Sequence, residues 1–416
     1  MQTNAFYESL IRVGSDWRVT RVETDHGKNQ VDVYLEYVPK QAPSPETGEL
    51  CPIYDYRPER AWRHLDTMQY KTYLHARVPR VLLPSGKADT ITVPWSDGSS
   101  RQSWLFEGWA IELLLVTKNQ RQTARLLDIS WGQMHRIMAR AVTRGLAVRQ
   151  RALDNPVTGS LWDITAVSID EKAYRYGHRF LTILSTPIGG QVLEIVEGRT
   201  SEATQAAMRA VLSERMLQRI KAVSIDMCGP FRNAVQELMP MAKIVYDKFH
   251  LVKLLTSAID LTRRAEVASQ EILKKTKYLV MKNEANRTEK EQTTFELIDA
   301  MNLKTSQAWR VRENFQAMYA TCTTIEQAKA FVLEWSDRAM ATGIPAIKKV
   351  AKTFKLHLWG ITSYFESSIS NARAENINGR IQALKIIGRG YQNFNNMRNA
   401  VLFFYGKLEL FPHQTA

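Results

Sequence analysis

Five short apolar runs between residues 164 and 246 constrain the fold of this 416-residue chain more than any other feature. Three of them follow one another with only short polar turns between them, which predicts three consecutive antiparallel strands at 164–169, 180–184 and 192–196. The other two, at 222–225 and 243–246, each follow an amphipathic stretch that predicts a helix, at 201–220 and 231–238. A meander of three strands followed by two helix-linked strands is the layout of a ribonuclease-H-like domain.

Two of these runs end in an acidic residue, Asp170 after the first and Asp226 after the fourth. A carboxylate at the end of a buried strand costs several kcal/mol unless it is paired, hydrogen-bonded or bound to metal. Either one alone is more simply explained as a cap for the turn that follows. The occurrence of both acids at strand ends within one α/β pattern indicates that they share a site. Glu171 points to the opposite face of an extended strand, so both cannot be ligands in regular geometry. We choose Asp170, because its side faces the metals if Ile169 packs inward on the other face.

A third acid, Glu375, lies far downstream in a polar helical stretch, with Asn371 and Asn378 four residues before and three after it. An ordinary solvated helix face is the alternative explanation for such a stretch. Carboxylates from two strands and a helix suit a pair of Mg²⁺ ions, because hard cations take oxygen ligands and phosphoryl chemistry needs its charge neutralised. The pattern therefore predicts a metal-dependent enzyme that acts on DNA phosphodiesters.

Two further residues, Asp247 and His250, lie where the fifth run ends and support this predicted site. His250 could hydrogen-bond a phosphate or position an attacking water; a partly buried histidine packed below the sheet is an equal alternative. Asp247 is expected to hold that imidazole rather than to bind metal.

Helical patterns occupy most of the chain after residue 250. Residues 251–362 are nearly all helix formers and predict an all-helical insertion domain, after which residues 363–416 complete the catalytic core that begins at 159–250. Within the insertion, Trp309 and Trp335 could stack an unpaired base, although core packing is the commoner role. Further on, Gly388-Arg389-Gly390 resembles part of a dinucleotide fingerprint but lacks the third glycine and follows a helix, so we discount it.

The N-terminal part predicts two smaller modules. Residues 1–100 contain an alternating segment at 16–38, with a hairpin turn at 26–29, and further β-like segments between 70 and 93. Residues 101–158 predict a helix-turn-helix whose second helix opens on a capping box at 130–133. Its apolar face is predicted to be Met134, Ile137, Met138 and Ala141, and its outer face Gln133, His135, Arg136, Ala139 and Arg140.

The charge of the chain favours nucleic acid as its partner. Its 56 Lys and Arg residues against 42 Asp and Glu give a formal net charge of +14, and eight basic residues against two acidic ones lie between Lys118 and Asp154. An αα-hairpin inside a larger bundle is the alternative to the helix-turn-helix. The predicted DNA-binding residues are Gln133, His135, Arg136, Arg140 and Arg144, with Arg373, Arg380 and Lys385 near Glu375.

Cysteine usage and the N-terminus bear on the compartment. Cys51, Cys228 and Cys322 have no paired spacing, so neither a disulfide framework nor a complete zinc site can be assembled from them. No basic and apolar leader opens the chain, and no apolar run approaches the roughly 20 residues that span a bilayer. We expect a cytoplasmic protein without membrane contact, associated with bacterial nucleoid DNA.

Seven ordered motifs resemble the DDE transposases of bacterial insertion sequences, specifically the ISL-three family. They lie at residues 62–66, 77–81, 129–131, 169–171, 223–227, 247–250 and 370–375. The resemblance implies that Asp170, Asp226 and Glu375 form a catalytic triad that holds two Mg²⁺ ions, for which Mn²⁺ can substitute. It also implies that the helix-turn-helix helps to bind the terminal inverted repeats, and that a homodimer or larger synaptic assembly joins element ends to target DNA.

This chain departs from the family pattern at two places. Family members usually carry an N-terminal zinc ribbon with two cysteine pairs, whereas residues 51–54 keep one cysteine and residues 82–86 keep none. Because a structural zinc site needs four ligands, we expect a degenerate, ribbon-like module without zinc. The second departure is Asn376, where the family often has glycine; a helix-borne carboxylate does not depend on it.

The expected fold is thus multidomain α/β: a ribonuclease-H-like core interrupted by a helical insertion and preceded by a β-rich module and a helix-turn-helix. The expected function is a DNA transposase that hydrolyses a phosphodiester at each element end and transfers the freed strand to target DNA. The alternatives are a non-catalytic DNA-binding regulator derived from a transposase and a ribonuclease-H-like DNA nuclease.

Overall fold

The computed structural model describes residues 3–11, 13–83, 85–175, 179–367, 369 and 372–412, without the side chains of residues 175 and 372–375. The predicted site residues Glu375 and Arg373 therefore have no described side chain, and Asn371 lies outside the described residues. The chain forms two compact units, Met1–Val148 with Leu408–Ala416 and Arg149–Lys407. The finer division into five segments remains a prediction.

The first unit begins with one helix and two four-stranded sheets. The helix is α1 (Thr3–Ile11), and the strands are β1 (Trp17–Asp25), β2 (Gln30–Tyr37), β3 (Gln41–Pro43), β4 (Leu50–Tyr56), β5 (Arg60–Arg63), β6 (Lys71–Ala76), β7 (Pro79–Leu82) and β8 (Ala88–Thr90). The sheet orders are β1-β2-β6-β5 and β3-β4-β7-β8. The predicted hairpin is present as β1 and β2, in which Asp25 pairs with Gln30 across the turn. Trp17, Trp62 and Trp95 are buried and meet edge to face, which anchors the core of these sheets.

Three helices follow: α2 (Trp104–Thr117) and α3 (Gln120–Leu126) in the first unit, and α4 (Trp131–Asp154), which begins in the first unit and continues past its boundary at Val148. The turn between α3 and α4 contains Asp128 with a left-handed φ of 49°. The predicted capping box is present, because the Ser130 amide donates to Gln133 Oε1 at 2.8 Å and the Gln133 amide donates to Ser130 Oγ at 3.2 Å. The four residues predicted for the apolar face of α4 are all fully buried: Met134, Ile137, Met138 and Ala141.

One mixed sheet organises the second unit. Its strands are β9 (Ala166–Arg175), β10 (Arg179–Ser185), β11 (Val192–Glu197), β12 (Ala222–Ile225) and β13 (Lys243–Tyr246), in the order β11-β10-β9-β12-β13. The first three strands form an antiparallel meander, whereas β12 lies parallel to both β9 and β13. The connecting helices are α5 (Ser201–Arg209), α6 (Glu214–Arg219) and α7 (Gly229–Leu238), so the single helix predicted at 201–220 is in fact two.

Helices follow the last strand. They are α8 (Lys248–Glu266), α9 (Lys277–Met281), α10 (Glu289–Ala300), α11 (Lys304–Thr321), α12 (Ile325–Ala341), α13 (Pro345–Leu356), α14 (Leu358–Thr362), α15 (Tyr364–Ser367), α16 (Ala372–Ile387) and α17 (Phe394–Tyr405). Trp309 and Trp335 are buried among them, and their indole N–H groups donate to the backbone oxygens of Lys282 and Val311. Core packing is therefore the role that the structure gives both tryptophans. Among the described residues, no helix is long and apolar enough to cross a membrane.

Candidate functional site

The register of two parallel strands brings Asp170 and Asp226 to the same level of the sheet. Ser224 on β12 pairs with Ser168 on β9, and each acid follows its serine by two positions. Side chains alternate between the faces of a strand, so both carboxylates extend from the same face. Asp170 is 4% exposed and accepts a hydrogen bond from the Glu171 amide at 2.7 Å. Glu171 instead lies 3.5 Å from Arg199.

His250, in the first turn of α8, lies between the two carboxylates. Its Nδ1 is 3.0 Å from Asp226 Oδ2, and its Nε2 is 3.6 Å from Asp170 Oδ1. Asp247 caps the same helix by accepting from the Phe249 amide at 3.2 Å, and its Oδ2 lies 3.8 Å from His250 Nε2. The structure thus brings four of the five predicted catalytic and supporting residues together beside the ends of β12 and β13. The prediction that Asp170 follows the end of its strand is wrong, because β9 continues in its pairing with β10 as far as Arg175.

The electrostatics of this cluster favour a positive charge between the carboxylates. Burial acts to lower the pKa of His250, but its hydrogen bonds to Asp170 and Asp226 outweigh burial and raise that pKa to about 10. Burial raises the pKa of Asp226, yet the His250 contact outweighs it and the net shift is downward. Paired carboxylates that attract a cation are a donor set that suits Mg²⁺.

The side chain of the third predicted carboxylate, Glu375, is not described, but the helix that carries it is. Asn378 on α16, three positions after Glu375, donates from Nδ2 to Asp170 Oδ2 at 2.6 Å. The helix that carries Glu375 is therefore docked against Asp170. Within the described side chains no group of three or more His, Cys, Asp or Glu residues is arranged to hold a metal ion. Asn378 was missing from the predicted site residues, although its spacing from Glu375 was the available signal.

The start of α4 uses two of the residues predicted to contact DNA for its own structure. Gln133 closes the capping box with its side-chain oxygen. His135 is half-buried and stacks on Trp131, with ring centroids 5.1 Å apart and an interplanar angle of 12°. Burial, followed by the charge of Arg136, lowers the pKa of His135. Arg136 itself is exposed and is the basic residue that this turn presents to solvent.

Further along α4, Arg140 and Arg144 converge on one buried acid instead of facing outward. Arg140 donates from Nη2 to Glu107 Oε2 at 2.7 Å, and Arg144 donates from Nη2 to Glu107 Oε1 at 2.9 Å. Glu107, on α2, is fully buried. The predicted outward orientation of Arg140 is therefore wrong, because a charged acid inside the unit requires cationic partners. A DNA contact by either arginine remains a prediction.

The basic residues of α16 differ in exposure. Arg380 is exposed, whereas Lys385 is half-buried. Burial, and after it the charge of Lys172, lowers the pKa of Lys385. Arg373, the third basic residue predicted here, has no described side chain.

In the ribbon-like region, the sulfur atom of Cys51 lies in an apolar environment. Cys51 on β4 is 4% exposed and belongs to the same core as Val81 and Leu83. Strand β4 pairs antiparallel with β7, where Ile53 lies opposite Val81. Cys228 and Cys322 lie in the second unit.

Comparison with known families defines the class of protein. Residues 167–401 match a family model described as "Transposase" of the DDE type, and residues 91–142 match the "Helix-turn-helix domain of transposase family ISL3". Residues 45–82 match the "zinc-finger of transposase IS204/IS1001/IS1096/IS1165". The first match alone covers more than half of the chain. The protein belongs to the ISL3 family of transposases, as its sequence motifs predict.

Individual relatives agree with this assignment over most of their length. The chain is 27% identical over 389 residues to the transposase for insertion sequence element IS1001 of Bordetella parapertussis, covering 90% of this chain and 92% of that protein. It is 24% identical over 362 residues to the transposase for insertion sequence element IS1557 of Mycobacterium tuberculosis strain CDC 1551, covering 80% and 79%.

Proposed function

We propose that this transposase hydrolyses a phosphodiester at each end of its insertion sequence and joins the freed 3′-hydroxyl to target DNA. Asp170, Asp226 and Glu375 would hold the two Mg²⁺ ions. The observation that carries the proposal is the convergence of Asp170 and Asp226 on His250, with the helix of Glu375 docked against Asp170. Bound Mg²⁺ would supply an activated water and neutralise charge on the attacking and leaving oxygens.

The chain's own residues prepare this site. Asn378 fixes the orientation of Asp170, so that one carboxylate oxygen is committed to the amide and the other faces the cluster. Positions three apart share a helix face, so this contact supports the proposed role of Glu375 at the site. His250 keeps the two aspartates in a common orientation and is placed to donate a proton to a phosphate oxygen. The strand order supports a ribonuclease-H-like core, with residues 251–362 as its helical insertion.

DNA would be bound by several parts of the chain. The helix-turn-helix would recognise the terminal inverted repeats through the exposed face of α4, where Arg136 is the first candidate. Arg380 and Lys385 on α16 would contact DNA close to the cleaved bond, and Arg373 is proposed with them. Joining two ends requires at least a homodimer, and the proposed place of action is the DNA of the bacterial cytoplasm.

The zinc-finger region is proposed to fold without zinc. Cys51 lies in an apolar core, and a tetrahedral zinc site needs four ligands where this sequence retains one family cysteine. Edge-to-face packing of Trp17, Trp62 and Trp95 supplies stabilisation in its place. Metal analysis of the purified full-length protein tests this: a stoichiometric zinc ion that survives dialysis against a chelator would contradict it.

The decisive experiment is cleavage and strand transfer on duplexes that carry the terminal repeats of the element. Asp170→Ala, Asp226→Ala and Glu375→Gln should each lower the cleavage rate by about a thousandfold or more, as expected for loss of a metal ligand worth several kcal/mol. Asn378→Ala should lower it less, and Asn376→Ala, an exposed neighbour on the same helix, should leave it unchanged. Wild-type protein that binds these duplexes in Mg²⁺ but never cuts them would favour a regulator.

A further inference from the structure

A basic cavity lies at the C-terminal end of α16, beyond the predicted active site. Its volume is about 400 Å³, and its lining includes Tyr174, Lys385, Arg389, Gly390 and Tyr391. None of these residues belongs to the carboxylate cluster. The cavity is therefore separate from the carboxylate cluster, and of these lining residues the proposed function uses only Lys385.

The cavity lies along the same strand and the same helix as the site. Tyr174 is four residues after Asp170 on β9, which is a distance of about 13 Å at the usual rise of a strand. Lys385 is seven residues after Asn378 on α16, which is about 10 Å at 1.5 Å per residue. Because Asn378 contacts Asp170, the distance along β9 and the distance along α16 both estimate the separation between the carboxylates and the cavity, and the two estimates are similar.

Three basic residues lie in the cavity or between it and the carboxylates. Lys172 lies on β9 between Asp170 and Tyr174, while Lys385 and Arg389 line the cavity itself. The effect of Lys172 on the pKa of Lys385 shows that their charges interact. Within the described part of the chain, none of the three forms an ion pair with a carboxylate. The helix dipole favours cations at the end of α16, but it does not account for Lys172 on the strand or for the cavity.

The Gly388-Arg389-Gly390 segment gives the cavity its rim. Arg389 and Gly390 have left-handed φ values of 53° and 86°, and the Gly390 amide donates to the Lys385 carbonyl at 2.8 Å to close the helix. A Cβ at Gly388 would lie only 3.0 Å from the ring of Tyr391, so glycine lets this tyrosine fold back on the helix end. On the other side, the β9–β10 register shifts between Ala173 and Arg175, and the extra residue is Tyr174.

We propose that this cavity binds a single backbone phosphate of the DNA strand whose scissile bond lies at Asp170 and Asp226. This inference rests on the proposed function. The separation of about 10 to 13 Å corresponds to about two to four nucleotides, because duplex DNA rises 3.4 Å per nucleotide along its axis and each strand also winds around that axis. A phosphate contact carries no sequence information, so the cavity fixes the register of the strand and not its sequence.

A charge-neutralisation scan tests the proposal. The probes are duplexes carrying the terminal repeat, each with one methylphosphonate between the first and sixth phosphate from the element end. Without metal, the affinity of wild-type protein should fall about tenfold or more when one particular phosphate among the second to fourth is neutralised, as for one lost charge-assisted contact. The Lys385→Gln/Arg389→Gln variant should bind the unmodified duplex with a similar loss, and should lose nothing further at that phosphate.

Two control proteins sharpen the scan. Lys329→Gln removes an exposed lysine of α12 and should reproduce the wild-type profile. The charge-preserving pair Lys385→Arg/Arg389→Lys should keep the sensitive phosphate; its disappearance in this pair would overturn the proposal. The proposal would also be overturned if, in the Lys385→Gln/Arg389→Gln variant, neutralising any of the phosphates still lowered the affinity by the same factor as in the wild-type protein. Because affinity is read without metal, absent cleavage would count against the proposed function and leave this result standing.

Discussion

At the scale of single residues, Glu107 determines how two arginines of α4 are used. Its carboxylate is fully buried on α2 and accepts hydrogen bonds from both Arg140 and Arg144. Arg144 also donates to the backbone oxygen of Leu410, so this residue joins the same network. Buried ions of this kind are costly to break from one side, because the remaining charges lose their partner.

Replacing Glu107 by Gln is therefore expected to destabilise the packing of α2 against α4. The two guanidinium groups would lose their shared buried counter-charge, and only Asp97, 3.8 Å from Arg140 Nε, would remain beside them. The expected cost is about 3 kcal/mol, the lower end for a broken buried pair, because Asp97 and some solvent contact remain. Native-state hydrogen exchange of the full-length protein measures this as faster exchange of α2 and α4 amides. Glu112→Gln, an exposed substitution on the same helix, is the control. Equal exchange in the two variants would contradict the prediction.

His64 gives the first unit a pH-dependent stability. Burial, and after it the charge of Arg63, lowers the pKa of His64 to about 4, and its Nδ1 lies 2.8 Å from Ser103 Oγ at the start of α2. The unfolded chain takes up a proton near pH 6.5, before the folded chain does. The stabilisation is thus complete above pH 6.5 and is lost as the pH falls from 6.5 towards 4, by about 3 kcal/mol in all.

Labelling of the buried Cys51 thiol reports this loss, since Cys51 belongs to the same core as Trp62. With a pyridyl disulfide that reacts in acid, and mass spectrometry to identify the peptide, the wild-type labelling rate should rise steeply below pH 6.5. In His64→Gln the rise should be shallower at every pH compared. Parallel pH profiles for the two proteins would show that another group is responsible.

A residue's role could be predicted from the sequence where it depends on neighbouring positions, and could not be predicted where it depends on a contact with a distant one. Alternation along one strand is enough to prefer Asp170 over Glu171, and the structure places Asp170 against His250. The partner of Arg140 lies 33 positions away on another helix, so no local pattern could indicate it. Asn378 lies between these cases: its face of α16 follows from helical spacing, but its contact with Asp170 spans 208 positions.

At the scale of elements, the first turn of α4 is held by its own side chains. Ser130 and Gln133 exchange hydrogen bonds, and each satisfies a backbone amide that the helix start leaves open. The hydrophobic periodicity sufficed to predict this helix, the three-strand meander and the two helix-linked strands of the second unit, and the spacing of Ser130 and Gln133 predicted the cap. It did not reveal the break at residues 210–213 between α5 and α6, because both halves continue one amphipathic pattern.

The capping box makes a prediction about DNA affinity. If Gln133 serves α4 as a cap, Gln133→Ala should cost about 1 kcal/mol of helix stability and at most about fivefold in affinity, as should Ser130→Ala. The loss should be equal for a duplex with the terminal repeat and for a scrambled duplex, because a cap reads no base. Binding titrations at one salt concentration compare the four cases. A loss confined to the cognate duplex in Gln133→Ala would instead assign Gln133 to base recognition.

At the scale of the whole molecule, the positive charge is unevenly distributed. Residues 149–407 contain 37 Lys and Arg against 25 Asp and Glu, whereas residues 1–148 contain 19 against 16. The excess therefore lies in the unit that holds the carboxylate cluster, although a helix-turn-helix lies in the other. The overall composition predicted a nucleic-acid partner, but not that the clustered acids would lie in the unit that carries most of the net positive charge.

Mg²⁺ is accordingly expected to stabilise the second unit specifically. A ligand that binds only the folded state stabilises it by about 2.7 kcal/mol at one hundred times its dissociation constant. Hydrogen exchange of the full-length protein should therefore slow at the amides of β9 and β12 on addition of Mg²⁺. The amides of the β1–β2 hairpin provide the internal reference and should not change. In the double variant Asp170→Asn/Asp226→Asn the slowing should disappear, because amides are poor substitutes for carboxylates toward a hard dication. Slowing of the same size in that variant would place the ion elsewhere on the chain and would remove the main support for the metal-holding role of these aspartates.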